Sequence, residues 1–461
     1  MTTTPATPTS IRTPQETADR SIALPAITLP AVTAGFATTV LVWVAWWFVH
    51  LPAMSTPDWL AEFVLVMALP VAALLAARDA PGGRHILAGL LTAAVSTVLD
   101  LVVLGAAAVD RSSDAGAASV AQLLGGFLLL SAVLGAGGGL AAKLAGPRRM
   151  PLDGTRWLGR FAVVACLSFL PLIVVGGAVT STESGMAVDE PAVSLIMPLS
   201  TMEEPRVYLE HTHRLFGSLV GLTTLTWLGL AIWRRAGRAP ITIAAVVFGL
   251  VCVQGLLGAF RVAENSPWIA ALHGVFGQLV FATAVFGAAR FSPLWSDDDH
   301  GETSWPEATR RAGGRAAFLA ALALGALAFQ LLTGSMSRHL ASGHAAITHV
   351  VFAFGAAMLV TLAGATMLSA ERFSRIGTVL RQLGRGMIAV VVIQVALGLF
   401  ALVAVGGGDA VRPIPLESEL GQAHAIEVGE ALVTTAHQSN GALLLALATL
   451  SVAWTRHAAR D

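Results

Sequence analysis

The chain has 461 residues, 55% of them hydrophobic and only 12% charged, with 28 basic residues balancing 28 acidic ones. A soluble domain averages about 25% charged residues, so this composition excludes an ordinary globular protein and describes a polytopic one embedded in membrane lipid. Zero formal net charge implies no nucleic-acid partner. Cys166 and Cys252, both within apolar runs, exclude a C-x-x-C metal or heme-attachment motif and a loop disulfide.

Residues 1–25 are rich in Thr and Pro and carry Arg12, Glu16, Asp19 and Arg20. They lack the charged start, apolar core and cleavage site of a signal peptide, and the acid-free character of a transit peptide. We therefore expect a disordered cytoplasmic tail over 1–30. A helix needs about 20 apolar residues to cross the hydrocarbon layer. That criterion predicts twelve spans, near 31–50, 59–77, 85–109, 119–142, 157–180, 211–233, 241–261, 268–290, 316–334, 345–368, 386–405 and 431–455. The fold class is thus an all-α polytopic membrane protein. Pro70 should kink the second span, which neighbouring helices tolerate.

Arginine sets the expected orientation. Connections holding Arg78/Arg84, Lys143/Arg148/Arg149/Arg156/Arg160, Arg234/Arg235/Arg238, Arg310/Arg311/Arg315 and Arg372/Arg375/Arg381/Arg385 are basic and alternate with acidic or nearly uncharged ones. Basic loops lie inside, so both termini are cytoplasmic. A bacterial plasma membrane is the expected location, since no organelle address is visible. Arg338 is the one outer-side arginine whose own connection holds no acidic residue.

Residues 31–150 form an N-terminal block of four spans whose one costly intramembrane charge is Asp100. It pairs with a buried polar group, serves as a proton or substrate contact, or sits protonated in a helix interface. Residues 151–300 and 301–461 then read as two copies of a four-helix bundle. Ile173–Gly185 (IVVGGAVTSTESG) partly parallels Leu331–Gly343 (LLTGSMSRHLASG), and Gln254-Gly-Leu-Leu-Gly258 parallels Gln394-Val-Ala-Leu-Gly398.

Four histidines lie just inside spans that start on the outer side: His213, His273, His349 and His437. Three open the pattern His-x-x-x-Gly, at Gly217, Gly277 and Gly441, and the fourth has Ala353 there. Four residues turn about 400°, so the small residue lies on the histidine's face and is expected to leave space for a porphyrin edge. A lone histidine near a helix start is most often interfacial or a packing residue. Four at one depth, in duplicated positions, instead predict two pairs of axial ligands to heme iron, a metal suited to imidazole. His211, His339, His344 and His424 read as outer-loop or boundary residues.

One acid breaks the repeat. Glu210 stands three residues before His213, and Ala346 stands three before His349. Three helical steps turn about 300°, so Glu210 shares a face with His213. Beside one heme only, a carboxylate could move protons. The plain alternative is an acid of the helix's first turn, favoured by the macrodipole. Arg214 could meet a heme propionate.

These residues resemble a family. Glu210-His-Thr-His213-Arg214-Leu-Phe-Gly217 is similar to the Glu-x-x-His-Arg signature of the heme A synthase family, and Gly176–Gly185, the Gln-x-x-Leu-Gly helices and His437-Gln438 extend the likeness over about 157–455. The resemblance implies an enzyme that oxidises the C8 methyl of heme O to the formyl group of heme A, in support of cytochrome c oxidase assembly. It also implies heme O held by His213 and His273, heme b held by His349 and His437, and Glu210 as the catalytic carboxylate. Partners implied are an electron donor and a heme O synthase, for which the N-terminal block is a conceivable docking module. The chain departs from the family in lacking a cysteine pair in the loop 182–210, in placing Val350 after His349, and in adding the N-terminal helices. A diheme electron-transfer protein that modifies no heme is the competing reading. A transporter is disfavoured, because the histidines lie near one surface and not at the midplane.

Overall fold

Inside lipid, a chain must satisfy its backbone hydrogen bonds within each segment, which drives long apolar runs into helices. The computed structural model describes residues 14–461 except 53–56, 58, 115, 147, 149–153, 189–201, 293, 296–306, 373, 407–413 and 460–461. Among the described residues there are twelve long helices and no strand. They are α1 (Pro14–Val49), α2 (Trp59–Ala77), α3 (His85–Asp114), α4 (Gly116–Ala145), α5 (Gly154–Ser181), α6 (Pro205–Trp233), α7 (Arg238–Glu264), α8 (Pro267–Arg290), α9 (Glu307–Leu340), α10 (Gly343–Met367), α11 (Arg375–Gly406) and α12 (Val428–Ala458). Eleven are long and apolar enough to cross a membrane. The exception is α12, whose apolar run is interrupted by His437, Gln438, Ser439 and Asn440.

Several helices start earlier than expected, α9 at Glu307 and α11 at Arg375 among them, and two of these starts bear on packing and on the site. Of the tail expected over 1–30, residues 1–13 lie outside the described residues, and from Pro14 the chain is already in α1. Ile27 and Leu29 are buried in the N-terminal block, so packing carries this helix through Pro25 and Pro30. Helix α6 begins six residues before the expected 211. Glu204 caps it by accepting a hydrogen bond from Val207 N at 2.8 Å, and Pro205 occupies the first helical position. The acidic run Glu203–Glu204 masked this start.

Helices α5–α8 form one ring of neighbours and α9–α12 another, with α5 against α12 and α8 against both α9 and α12 where the rings meet. Helices α1–α4 pack among themselves and dock through α1 on α5 and α6. Phe36 meets Phe161 edge-on at 5.3 Å, Trp43 meets Phe216 at 6.2 Å, and the Tyr208 hydroxyl donates to Trp47 O at 2.5 Å. Close crossing of α3 and α4 requires glycine: a Cβ on Gly89 would stand 2.1 Å from Gly135 O. Asp100 proves to be a tie between α1 and α3. It accepts from Trp43 Nε1 at 3.1 Å and from Ser96 Oγ at 2.8 Å. That pairing is what a buried carboxylate requires.

Candidate functional site

The bundles bring the four histidines together in two pairs. His213 of α6 faces His273 of α8 with ring centroids 6.4 Å apart and planes crossed at 75°. His349 of α10 faces His437 of α12 at 6.2 Å and 83°. A metal clasped by two imidazole nitrogens at roughly 2 Å each sets the ring centres about 6 Å apart, so both separations suit a shared iron. Among the described residues, no group of three or more His, Cys, Asp and Glu side chains could hold a metal ion. An imidazole pair without further protein ligands suits a macrocycle that fills the remaining positions itself.

Each ring lies against a glycine of the neighbouring helix. A Cβ on Gly176 of α5 would stand 2.9 Å from His213 Cε1, and one on Gly334 of α9 would stand 3.0 Å from His349 Cε1. On the other side, Gly258 of α7 would meet His273 at 3.1 Å and Gly398 of α11 would meet His437 at 3.0 Å. All four glycines stand in the repeated motifs, at matching places. They let each imidazole sit edge-on against bare backbone.

The glycines four residues after the histidines do something else. A Cβ on Gly277 would fall 2.8 Å from Gln254 Nε2, and one on Gly441 would fall 3.3 Å from Gln394 Nε2. In place of the expected porphyrin edge, these glycines admit a glutamine amide that lies over the histidine. Gln254 Nε2 is 3.2 Å from His273 Nδ1 and donates to His273 O at 3.0 Å, and Gln394 Nε2 is 3.2 Å from His437 Nδ1. Gly217 has only Leu172, at 4.0 Å, nearby.

Glu210 is buried, 4% exposed, and both of its oxygens are engaged. Oε1 accepts from Arg214 Nη2 at 2.7 Å, and Oε2 accepts from Val188 N at 3.0 Å. Arg214 Nη2 also donates to Val188 O at 2.9 Å. With α6 starting at Pro205, Glu210 is past the first turn, which removes the macrodipole explanation for its position. The same early start puts His211, read from the sequence as a boundary residue, inside the helix and buried. His339 lies in the last turn of α9, with Nε2 3.9 Å from where Gly274 would carry a Cβ.

The chain after α5 bends over Glu210. Glu183 takes a left-handed conformation (φ 52°), as does Ala341 (φ 52°) at the matching place after α9. Arg338, without an acid in its own connection, pairs with Glu183 at 2.5 Å and donates to Thr180 O at 2.7 Å. Arg206 bridges in the opposite direction, to Thr182 O at 3.1 Å and His424 O at 2.7 Å. These ties across the halves were invisible in sequence, as was Arg261, whose guanidinium rests on Gly185.

Residues 193–349 match the cytochrome oxidase assembly protein family. Over 160 residues the chain is 29% identical to a heme A synthase of Granulibacter bethesdensis, covering 27% of this chain and 43% of that protein. It is 28% identical over 138 residues to a heme A synthase of Lysinibacillus sphaericus, covering 29% and 45%. These matches support a heme A synthase family assignment. A diacetylchitobiose uptake system permease protein of Streptomyces coelicolor is also 29% identical over 175 residues, covering 37% and 39%. The chain thus spans less than half the length of the curated relatives it matches. The stretch matched to the cytochrome oxidase assembly protein family contains Glu210, His213 and His273 and ends on His349. His437 and the N-terminal block lie outside it.

Proposed function

We propose that this protein is a membrane oxidoreductase of heme A synthesis, oxidising the C8 methyl of heme O to a formyl group in support of cytochrome c oxidase assembly. One observation carries the reading: two imidazole pairs share one geometry, and only the first has a buried carboxylate, Glu210, three residues before its histidine on the same helix. In this reading residues 151–300 form the substrate half, where His213 and His273 hold heme O. Residues 301–461 form the cofactor half, where His349 and His437 hold heme b, and 31–150 is an appended block. The basic connections face the cytoplasm with both termini, in a bacterial plasma membrane, so the histidines lie toward the outer side.

Bound heme supplies the redox-active iron and the methyl group to be oxidised. The chain supplies the rest. The glycine-backed imidazoles of His213 and His273 would hold and orient the substrate heme. Glu210, held by Arg214 and the Val188 N–H, is placed to take up or release the protons that oxidation of a methyl group sets free. His349 and His437 would hold the heme that relays electrons between the substrate site and a redox partner.

The test is expression with a source of heme O, followed by mass spectrometry of the extracted hemes. Heme A together with heme b is expected. Heme b alone, filling both sites, would establish instead the diheme electron-transfer protein.

A further inference from the structure

We propose that Arg261 and His339 form a carboxylate-binding corner of the first imidazole pair, so that a porphyrin seated there is selected by its free propionates. The second pair makes no such selection. This inference rests on the reading of the histidine pairs as heme sites.

Arg214, the cation beside His213 in sequence, is already committed. Its Nη2 serves Glu210 Oε1 and Val188 O together. Arg261, in the last turn of α7, is different. Among the described residues no hydrogen bond reaches its guanidinium, yet its charge acts on Glu210, His213, His273 and His339. Gly258, three residues earlier on α7, faces His273, so Arg261 stands on the same side of that helix as the imidazole. A Cβ on Gly185 would fall 1.8 Å from Arg261 Nη2, so a side chain there would push the guanidinium aside. His339 arrives from the other half, beside Gly274, the residue after His273.

Arg261 is partly buried, and a guanidinium drawn partly out of water is better held with an anion beside it. Glu210 does not fill that role at hydrogen-bond range, because both its oxygens are taken by Arg214 and Val188 N. A planar guanidinium is the side chain best matched to a carboxylate. At the second pair the matching positions carry no cation. By the repeat, Ala401 stands for Arg261, Val350 for Arg214 and Ser181 for His339. Ser181 accepts instead from Thr434, at 2.8 Å.

The test uses the full chain in detergent, depleted of heme, with His437→Ala leaving only the first pair intact. It is titrated with iron(III) protoporphyrin IX and with the dimethyl ester of that porphyrin. Low-spin absorbance and electron paramagnetic resonance report binding. The free acid should bind at least about tenfold more tightly than the ester, as expected for a hydrogen bond between charged groups. Arg261→Gln should abolish that preference, Arg261→Lys should restore part of it, and Gly185→Ala should weaken it. In His213→Ala, which leaves the second pair, acid and ester should bind alike, and Arg261→Gln added there should change nothing, which also checks the fold. An unchanged acid-to-ester ratio in Arg261→Gln would overturn the inference. Failure of the heme reading looks different: the unsubstituted chain would give no low-spin spectrum with either porphyrin.

Discussion

The two histidine sites differ by only 0.2 Å in ring separation, 6.4 against 6.2 Å, and each ring leans on a glycine at the same place in the repeat. Their polar surroundings have diverged. The first has Glu210, Arg214 and Arg261, where the second has Ala346, Val350 and Ala401. At the second, Gln394 Oε1 accepts from Asn440 Nδ2 at 2.7 Å. At the first, Phe276 replaces that asparagine, and Gln254 Oε1 is buried without a partner. Both pairs are anchored alike on this side, since His349 Nδ1 lies 3.0 Å from Gln330 O and His213 meets the backbone of Leu172, the matching residue of α5. A metal-bound histidine is usually oriented through its second nitrogen. Under the proposed reading, holding a macrocycle is the shared task, set by backbone and glycine, and a handful of side chains distinguish the substrate site from the cofactor site.

Under the proposed reading, the comparison breaks most completely by removing one imidazole. His273→Ala should erase one of two low-spin heme signals and leave the other intact, and His437→Ala should erase the complementary one. Loss of both from either substitution would show that the sites are not separable. Next, Glu210→Gln should reduce formyl product by roughly 10²–10⁴, the usual worth of a positioned proton-transfer group, with both hemes still bound. Normal product from that variant would remove Glu210 from the chemistry.

Smaller changes sharpen the comparison. Gly258→Ala and Gly398→Ala each press a methyl group onto an imidazole, and overpacking of this kind costs about 1–3 kcal/mol. A lowered thermal midpoint and a shifted heme potential at the affected site alone are expected. Asn440→Phe should orphan Gln394 Oε1 at about 1–3 kcal/mol, whereas Phe276→Asn should raise the thermal midpoint by giving Gln254 its missing donor. No gain from Phe276→Asn would mean that something else satisfies Gln254. The smallest effect belongs to Glu183→Gln. Arg338 is partly exposed in that pair, so a double-mutant cycle with Arg338→Gln should return at most about 1 kcal/mol.

The helices were legible because hydropathy and length decide them in lipid. The imidazole pairs were anticipated because the repeat put four histidines at one depth. What escaped notice needed tertiary placement. Gly176, Gly258, Gly334 and Gly398 were visible as repeat markers, but nothing in the sequence says that each faces a ring on another helix. Gly277 and Gly441 misled because the expected vacancy belongs to a glutamine of the adjacent helix. The early start of α6 was readable in Glu204-Pro205, a capping residue followed by proline, yet the acids around it resembled a loop. Arg261 and Arg338 act across helices far apart in sequence.

Helix α9 lies against α8 much as α12 lies against α5: Ser335 Oγ donates to Ala271 O at 3.0 Å, and Gly177 approaches Thr435 at the matching positions. Two identical four-helix chains related by a twofold axis would make the same exchange. In such a dimer every substitution appears twice, so an acid gained near one imidazole pair is gained near both. Covalent fusion lifts that constraint. Tandem linkage therefore leaves positions 210 and 346, or 276 and 440, free to differ.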